Sequence, residues 1–129
     1  MRKTDKKLES TLITALTEVC NEALEAFNGF QWLTHFANYS HFPDSLVVVC
    51  VFDTNEHLEK MYQKDAGDAF KHMLKSKLES IGIRLKNIDS HVKFDTEEAC
   101  EKENDGRWNN RFDYAWYPID KLSPSIYAR

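Results

Sequence analysis

Two short segments of the sequence carry the side chains best suited to chemistry. Residues 52–60 read FDTNEHLEK and residues 94–102 read FDTEEACEK, so six of the nine positions are identical. Hard divalent cations such as Mg²⁺ take carboxylate ligands, and a metal ion held in this way supports phosphodiester hydrolysis. The candidate metal ligands are four of the acids that both copies share in position: Asp53, Glu56, Asp95 and Glu98.

The same residues also fit a purely structural role at the start of two helices. An aspartate at the N-cap accepts a backbone hydrogen bond, and a glutamate three residues later reaches back to the N–H of the cap residue. Asp53 with Glu56, and Asp95 with Glu98, have this capping-box spacing. The sequence alone does not show whether Asp53 and Asp95 lie close together.

The elements around the repeat can be predicted from hydrophobic periodicity. Apolar residues recur every three or four positions over 4–27 and 65–81, as on one face of a helix. Residues 46–52 are rich in β-branched side chains and apolar on both faces, which is typical of a central strand. The further expected elements are strands at 30–36 and 91–95, a helix ending near residue 63, and a helix from residue 96 to before residue 105. Each copy of the repeat therefore follows a strand and opens a helix.

These elements predict a single α+β domain over residues 1–112, in the order α-β-β-α-α-β-α. We expect a small, mostly antiparallel sheet packed against the long N-terminal helix. Residues 113–129 are expected to form an irregular aromatic C-terminal tail that docks on the domain. The predicted core consists of Leu12, Leu16, Val19, Trp32, Val47, Val49, Val51, Phe70, Leu74, Leu78 and Phe94.

Charge is unevenly distributed along the chain. The net charge is −4, which counts against a non-specific nucleic-acid binder, because neutralisation of phosphates drives such binding. Residues 95–105 are mainly acidic, whereas residues 71–86 carry a single acid. The candidate binding residues of this basic stretch are Lys71, Lys75, Arg84 and Lys86. Such runs are either solvated helix faces or a bipolar surface for a partner or for self-association.

The aromatic residues near the C-terminus admit two interpretations. They pack back on the sheet or on the first helix, or Trp108, Trp116 and Tyr117 form an exposed contact patch, since aromatic anchors dominate interfaces.

Neither the cysteines nor the histidines form a recognisable site. The three cysteines are widely spaced and include no Cys-x-x-Cys pair, which favours a reducing, cytoplasmic location. The five histidines have no zinc-ligand spacing. No catalytic residue and no cofactor is therefore predicted. We also expect no signal peptide and no membrane span, because the longest apolar run covers only residues 46–52.

Two resemblances add to this interpretation. The expected order helix-strand-strand-helix-helix-strand resembles type II KH domains, although their Gly-x-x-Gly loop has no counterpart among the isolated glycines here. The amino-acid sequence is also similar to small uncharacterised bacterial proteins, some of which are labelled Fis-like transcription regulators. The similarity lies in residues 30–35, 48–54, 82–86 and 94–100. This second resemblance implies a bacterial cytoplasmic protein and supplies no activity.

Three functional hypotheses follow from the sequence. The leading one is a small binding or interaction module without catalytic activity, which binds a protein partner or associates with itself as a homodimer. The first alternative is a divalent-metal-dependent phosphodiesterase or nuclease that uses the carboxylates at the two strand ends. The second alternative is a nucleic-acid-binding regulator that uses the basic stretch.

Overall fold

The computed structural model describes residues 3–113 and 125–127 and confirms the predicted α+β class and element order. Each predicted helix and strand is present, with bounds that differ by a few residues from those expected. The elements are α1 (Lys3–Ala26), β1 (Phe30–Phe36), β2 (Val47–Phe52), α2 (Asn55–Gln63), α3 (Ala66–Ser80), β3 (Val92–Thr96), α4 (Glu97–Asn104), α5 (Trp108–Asp113) and β4 (Ser125–Tyr127).

The sheet has the strand order β3-β2-β1-β4. Strand β1 is antiparallel to both β2 and β4, whereas β2 and β3 run parallel. A parallel pair needs a crossover connection, and the helix pair α2–α3 supplies it. The sheet is thus mostly antiparallel, as predicted. Its one parallel pair is β2 with β3, and β3 is the edge strand on that side.

One strand was not expected. Ser125–Tyr127 pair with residues 33–35 of β1, within the segment for which the sequence predicts no regular structure. Residues 114–124 and 128–129 lie outside the described residues. The predicted docking of the C-terminal tail on the domain concerns mainly these residues and stays a prediction.

Helices cover the sheet because β2 is apolar on both faces. All six residues of β2 are buried, which confirms it as the central strand. Helices α1 and α3 cover one face, where Leu12, Leu16, Phe70 and Leu74 are fully buried. On the other face, Trp32, Phe36, Val47, Val49 and Val51 form a second cluster with Phe112 of α5.

The predicted core is confirmed residue by residue. Of the eleven residues expected there, ten are buried, and Phe94 is partly buried against the main cluster. Among the described residues, none of the helices combines the length and the apolar character that crossing a bilayer would require.

Candidate functional site

The two copies of the repeat lie side by side. Because β2 and β3 are parallel neighbours in register, with Phe52 opposite Thr96, both copies leave the sheet at the same edge. Three hydrogen bonds join them. The Glu98 N–H donates to the Asp53 carbonyl oxygen at 3.0 Å, and the Asn55 N–H donates to Glu98 Oε1 at 2.8 Å. The Thr96 hydroxyl donates to Asn55 Oδ1 at 2.5 Å.

The helix caps differ by one residue from those predicted. Thr54 and Thr96, not the aspartates, are the N-cap residues, in extended conformation with φ of −123° and −136°. Thr54 Oγ1 accepts from the His57 N–H at 3.1 Å, and Thr96 Oγ1 accepts from the Ala99 N–H at 3.0 Å. Aspartate and threonine both serve as N-caps, so the sequence of each copy is compatible with either residue of the Asp-Thr pair as the N-cap.

The one-residue shift gives the four candidate acids other partners. The aspartates accept from the N–H of the following threonine, Asp53 at 2.7 Å and Asp95 at 2.8 Å. Glu56 lies on the exposed side of α2, where it pairs with Lys60 at 3.2 Å. Glu98 reaches across to the other copy instead of back to its own helix start. Neither capping box forms.

Asp95 forms a buried ion pair. Its Oδ2 accepts from Nε of Arg111 at 2.6 Å and its Oδ1 accepts from Nη2 at 2.9 Å, while the two side chains are only 4% and 8% exposed. Arg111 Nη1 also donates to Asn104 Oδ1 at 2.9 Å. This fork geometry gives a strong, directional contact. Asp95 therefore fastens α5 to the carboxyl end of β3.

Asp53 has a different partner in a more open place. Its Oδ1 lies 2.7 Å from Nδ1 of His57, one turn along α2, and about a third of each side chain is exposed. Gly29 lies against this pair: a Cβ at Gly29 would be 2.6 Å from the His57 Cβ and 2.7 Å from Asp53 Oδ1. The absence of a side chain at Gly29 therefore makes room for the Asp53–His57 pair.

The proposed metal ligands are adjacent in the fold but do not point to a common centre. Asp95 is paired with Arg111, and Asp53 is paired with His57. Glu98 accepts a hydrogen bond from the Asn55 N–H, and Glu56 faces solvent. Among the described residues, no three histidine, cysteine, aspartate or glutamate side chains are grouped so that they could hold a metal ion.

The basic residues predicted to bind lie on α3 and on the segment that follows it. Lys71 of α3 pairs with Asp89 at 3.0 Å and lies 6.0 Å from the ring centre of Phe94. In the segment after α3, Ile83 and Leu85 are buried whereas Arg84 and Lys86 are exposed. This alternation directs Arg84 and Lys86 outward on the same side of an anchored segment. Lys75, one turn after Lys71, is half-buried.

Of the three aromatic candidates, only Trp108 is among the described residues. Its ring centre lies 4.8 Å from that of Trp32 in an edge-to-face arrangement and 5.5 Å from that of Phe112. Trp108 thus packs against the second face of the sheet, while Trp116 and Tyr117 lie outside the described residues.

Sequence reasoning missed the basic partners of the two aspartates. His57 follows Asp53 at a spacing of four, which places the two side chains on one side of a helix start, so this contact had a local signal. Arg111 lies sixteen residues from Asp95 and belongs to a segment with no strong periodicity. The three cysteines are buried, and burial raises the pKa of each thiol.

Comparison with protein-family models, with curated proteins and with solved structures finds no match to this chain.

Proposed function

We propose that this chain is a non-catalytic binding module that holds an acidic protein segment on its basic surface. The basic surface consists of Lys71, Lys75, Arg84 and Lys86. The observation that carries the proposal is the presentation of Arg84 and Lys86 on a segment that is fixed to the core. A reducing bacterial cytoplasm is the proposed location, in keeping with three reduced cysteines and with the similarity to small bacterial proteins.

The anchoring of this segment reduces the cost of binding. Ile83 and Leu85 are 5% and 7% exposed, and both belong to the main core cluster. The backbone between them is therefore ordered before a partner arrives. Ordering a mobile loop at an interface lowers affinity, and a preorganised segment avoids that loss.

The charges of the basic surface are only partly neutralised within the chain. Lys71 has Asp89 as its partner, but Arg84, Lys86 and Lys75 form no ion pair with any described residue. Cations that extend into solvent from a fixed segment attract an acidic segment and increase its rate of association. Four basic side chains are few for the long polyanion of a nucleic acid, whose affinity rises with the number of phosphates neutralised, so a short acidic protein segment is the better-matched partner.

A second copy of the chain offers one source of acidic segment. Glu101, Glu103 and Asp105 are exposed at α4 and at its C-terminal end. Contact between this region and the basic surface of another copy would yield a homodimer or a longer chain of copies, and it would weaken as salt screens the charges.

The proposal is tested with a fluorescent glutamate-rich peptide, a single-stranded oligonucleotide of similar charge and a neutral peptide, titrated at low and at high salt. We expect the acidic peptide to bind more tightly than the oligonucleotide, and sedimentation velocity to report any self-association. The double variant Arg84→Glu/Lys86→Glu should lose the peptide affinity by at least about tenfold.

The matched control is Lys6→Glu/Lys7→Glu, which makes the same change in net charge on the exposed side of α1. Equal losses in the two double variants would attribute binding to overall charge and would contradict the proposal. Preferred binding of the oligonucleotide would favour the nucleic-acid-binding regulator instead.

Metal-dependent phosphodiester hydrolysis receives less support. Its favourable observation is the juxtaposition of the two copies at the ends of parallel strands. Against it, the Asp95 carboxylate has both oxygens committed to Arg111, and a metal ion would have to displace a buried guanidinium. An increase of the melting temperature by Mn²⁺ that Asp53→Ala or Asp95→Ala removes would favour this alternative.

A further inference from the structure

A small pocket opens beside the Asp53–His57 pair, and none of the residues of the basic surface line it. It has a volume of about 180 Å³ and lies where the C-terminal end of α1 meets α2 and the start of α3. Met61, which is buried, and the half-buried Phe27 and Ala66 form its apolar wall. Its polar lining includes His57, Lys60 and Lys64.

The imidazole of His57 has a defined orientation at this pocket. A carboxylate only accepts hydrogen bonds, so Nδ1 of His57 donates to Asp53 Oδ1. Nε2 then has no hydrogen-bonding partner among the described residues. Nε2 accepts a hydrogen bond from a ligand when the ring is neutral and donates one to an anion when the ring is protonated.

The charge of the lining selects an anion. Lys60 and Lys64 are exposed at the rim, and none of the lining residues is acidic. Lys60 contacts Glu56 in a pair whose side chains are 56% and 76% exposed. Exposed pairs of this kind contribute little, so a ligand anion competes readily for Lys60.

The volume limits the occupant to a small molecule. Typical ligand pockets measure roughly 300–1,000 Å³, and at about 30 Å³ per water molecule this one holds only about six waters. A phosphate or carboxylate group with a small apolar portion fits the combination of a basic rim and an apolar wall. We infer that the pocket binds a small organic anion, with its charged group held by Lys64 beside Nε2 of His57 and its apolar portion against Met61 and Phe27.

The two methionine methyl groups of the described region allow a direct test. In protein labelled with [methyl-¹³C]methionine, Met61 reports on the pocket, whereas Met73 lies in α3 outside the pocket lining. Phenyl phosphate and benzoate are the probes, benzyl alcohol is the neutral control, and inorganic phosphate is the competitor. We expect a saturable shift of the Met61 methyl signal with both anions, no matching shift of Met73, no saturation with benzyl alcohol, and displacement by inorganic phosphate.

Variants separate the contribution of charge from that of space. Lys64→Gln should weaken phenyl phosphate binding by about tenfold or more, since a hydrogen bond to a charged group is lost. Its control is Lys102→Gln, which removes another exposed lysine, from α4. Ala66→Leu should fill the pocket and abolish binding, whereas Ala69→Leu, on the exposed side of the same helix turn, should leave it unchanged.

The inference is overturned if neither anion shifts Met61 at millimolar concentration, or if benzyl alcohol saturates the pocket equally well. It is also overturned if Lys64→Gln binds as tightly as the Lys102→Gln control. None of these readouts involves the basic surface, so this inference and the proposed function can fail independently.

Discussion

At the residue scale, burial separates two aspartates that the sequence presents as equivalent. Asp53 and Asp95 occupy the same position in the repeat, lie at the carboxyl ends of parallel strands and accept the same local N–H bond. Asp95 and its partner Arg111 are almost completely buried, whereas Asp53 and His57 are about one-third exposed. Loss of one partner from a buried pair leaves an uncompensated charge in the interior, whereas water compensates for the loss at an exposed pair.

This difference predicts unequal effects of the same substitution at the two positions. Asp95→Asn should lower the free energy of unfolding by about 3–5 kcal/mol, because Arg111 stays charged and buried. Asp53→Asn should cost no more than about 1 kcal/mol. Urea denaturation measures both values. The double variant Asp95→Asn/Arg111→Leu should recover part of the loss, and a double variant as unstable as the sum of the two single ones would contradict the ion-pair account.

A buried histidine predicts how stability depends on pH. His35 of β1 is 4% exposed, and burial lowers its pKa from 6.5 to about 4. Between these values the unfolded chain binds a proton that the folded chain does not, so the free energy of unfolding decreases as the pH falls from about 6.5 to about 4. The total loss from this group is about 3 kcal/mol.

The comparison that isolates this effect is between wild type, His35→Gln and the exposed control His41→Gln. Urea denaturation at several pH values should give a shallower decrease for His35→Gln, since the carboxylates contribute equally in all three proteins. Parallel curves for wild type and His35→Gln would show that His35 does not titrate in this way.

At the element scale, two connections depend on glycine for different reasons. Gly29, between α1 and β1, has φ of +88° and no room for a Cβ beside His57. Gly82, after α3, has φ of +84° but open space around it. A left-handed conformation costs an alanine about 1–2 kcal/mol at either position. Only at Gly29 would the added Cβ also clash with other side chains, those of Asp53 and His57.

We therefore expect Gly29→Ala to destabilise the protein more than Gly82→Ala, by at least about 1 kcal/mol beyond the shared cost of the left-handed conformation. Chemical denaturation of the two variants gives this difference directly. Equal losses would mean that the α1–β1 turn relaxes without disturbing the Asp53–His57 pair.

Helices and strands were predictable where their periodicity reflects burial, as in α1 and β2. Their partners were harder to predict, because strand pairing depends on contacts across the chain. The sequence predicted a mostly antiparallel sheet, which the pairing of β1 with β2 and β4 confirms. It did not indicate that β2 and β3 run parallel and bring the two copies together. Strand β4 has only three residues and forms through pairing with β1, so no local pattern indicated it.

The candidate site was predictable in its residues but not in its contacts. The repeat located Asp53, Glu56, Asp95 and Glu98, and all four lie near one sheet edge. Their contacts depend on Arg111, His57 and Asn55. In the sequence, nothing distinguishes Arg111 and Asn55 from ordinary residues on the surface of a helix. Cap position was wrong by one residue, because the Asp-Thr pair satisfies the N-cap preference in either register.

At the scale of the whole molecule, the chain is acidic overall, and Arg84 and Lys86 extend from an anchored segment without an ion pair to any described residue. Each helix or loop contributes modestly, and the fold supplies the rigidity that makes Arg84 and Lys86 a surface instead of a flexible run of charge. If binding depends on charge complementarity at this surface, a reversal of the charges at Arg84 and Lys86 should also reverse the preferred charge of the partner.

The most direct test of the binding function is a charge exchange across the complex. Fluorescence anisotropy would compare a glutamate-rich and a lysine-rich peptide of equal length, each titrated with wild type and with Arg84→Glu/Lys86→Glu. We predict that wild type prefers the acidic peptide and that the variant prefers the basic one, while Lys6→Glu/Lys7→Glu retains the wild-type preference. An unchanged preference in Arg84→Glu/Lys86→Glu, or the same reversal in Lys6→Glu/Lys7→Glu, would contradict the assignment of binding to this surface.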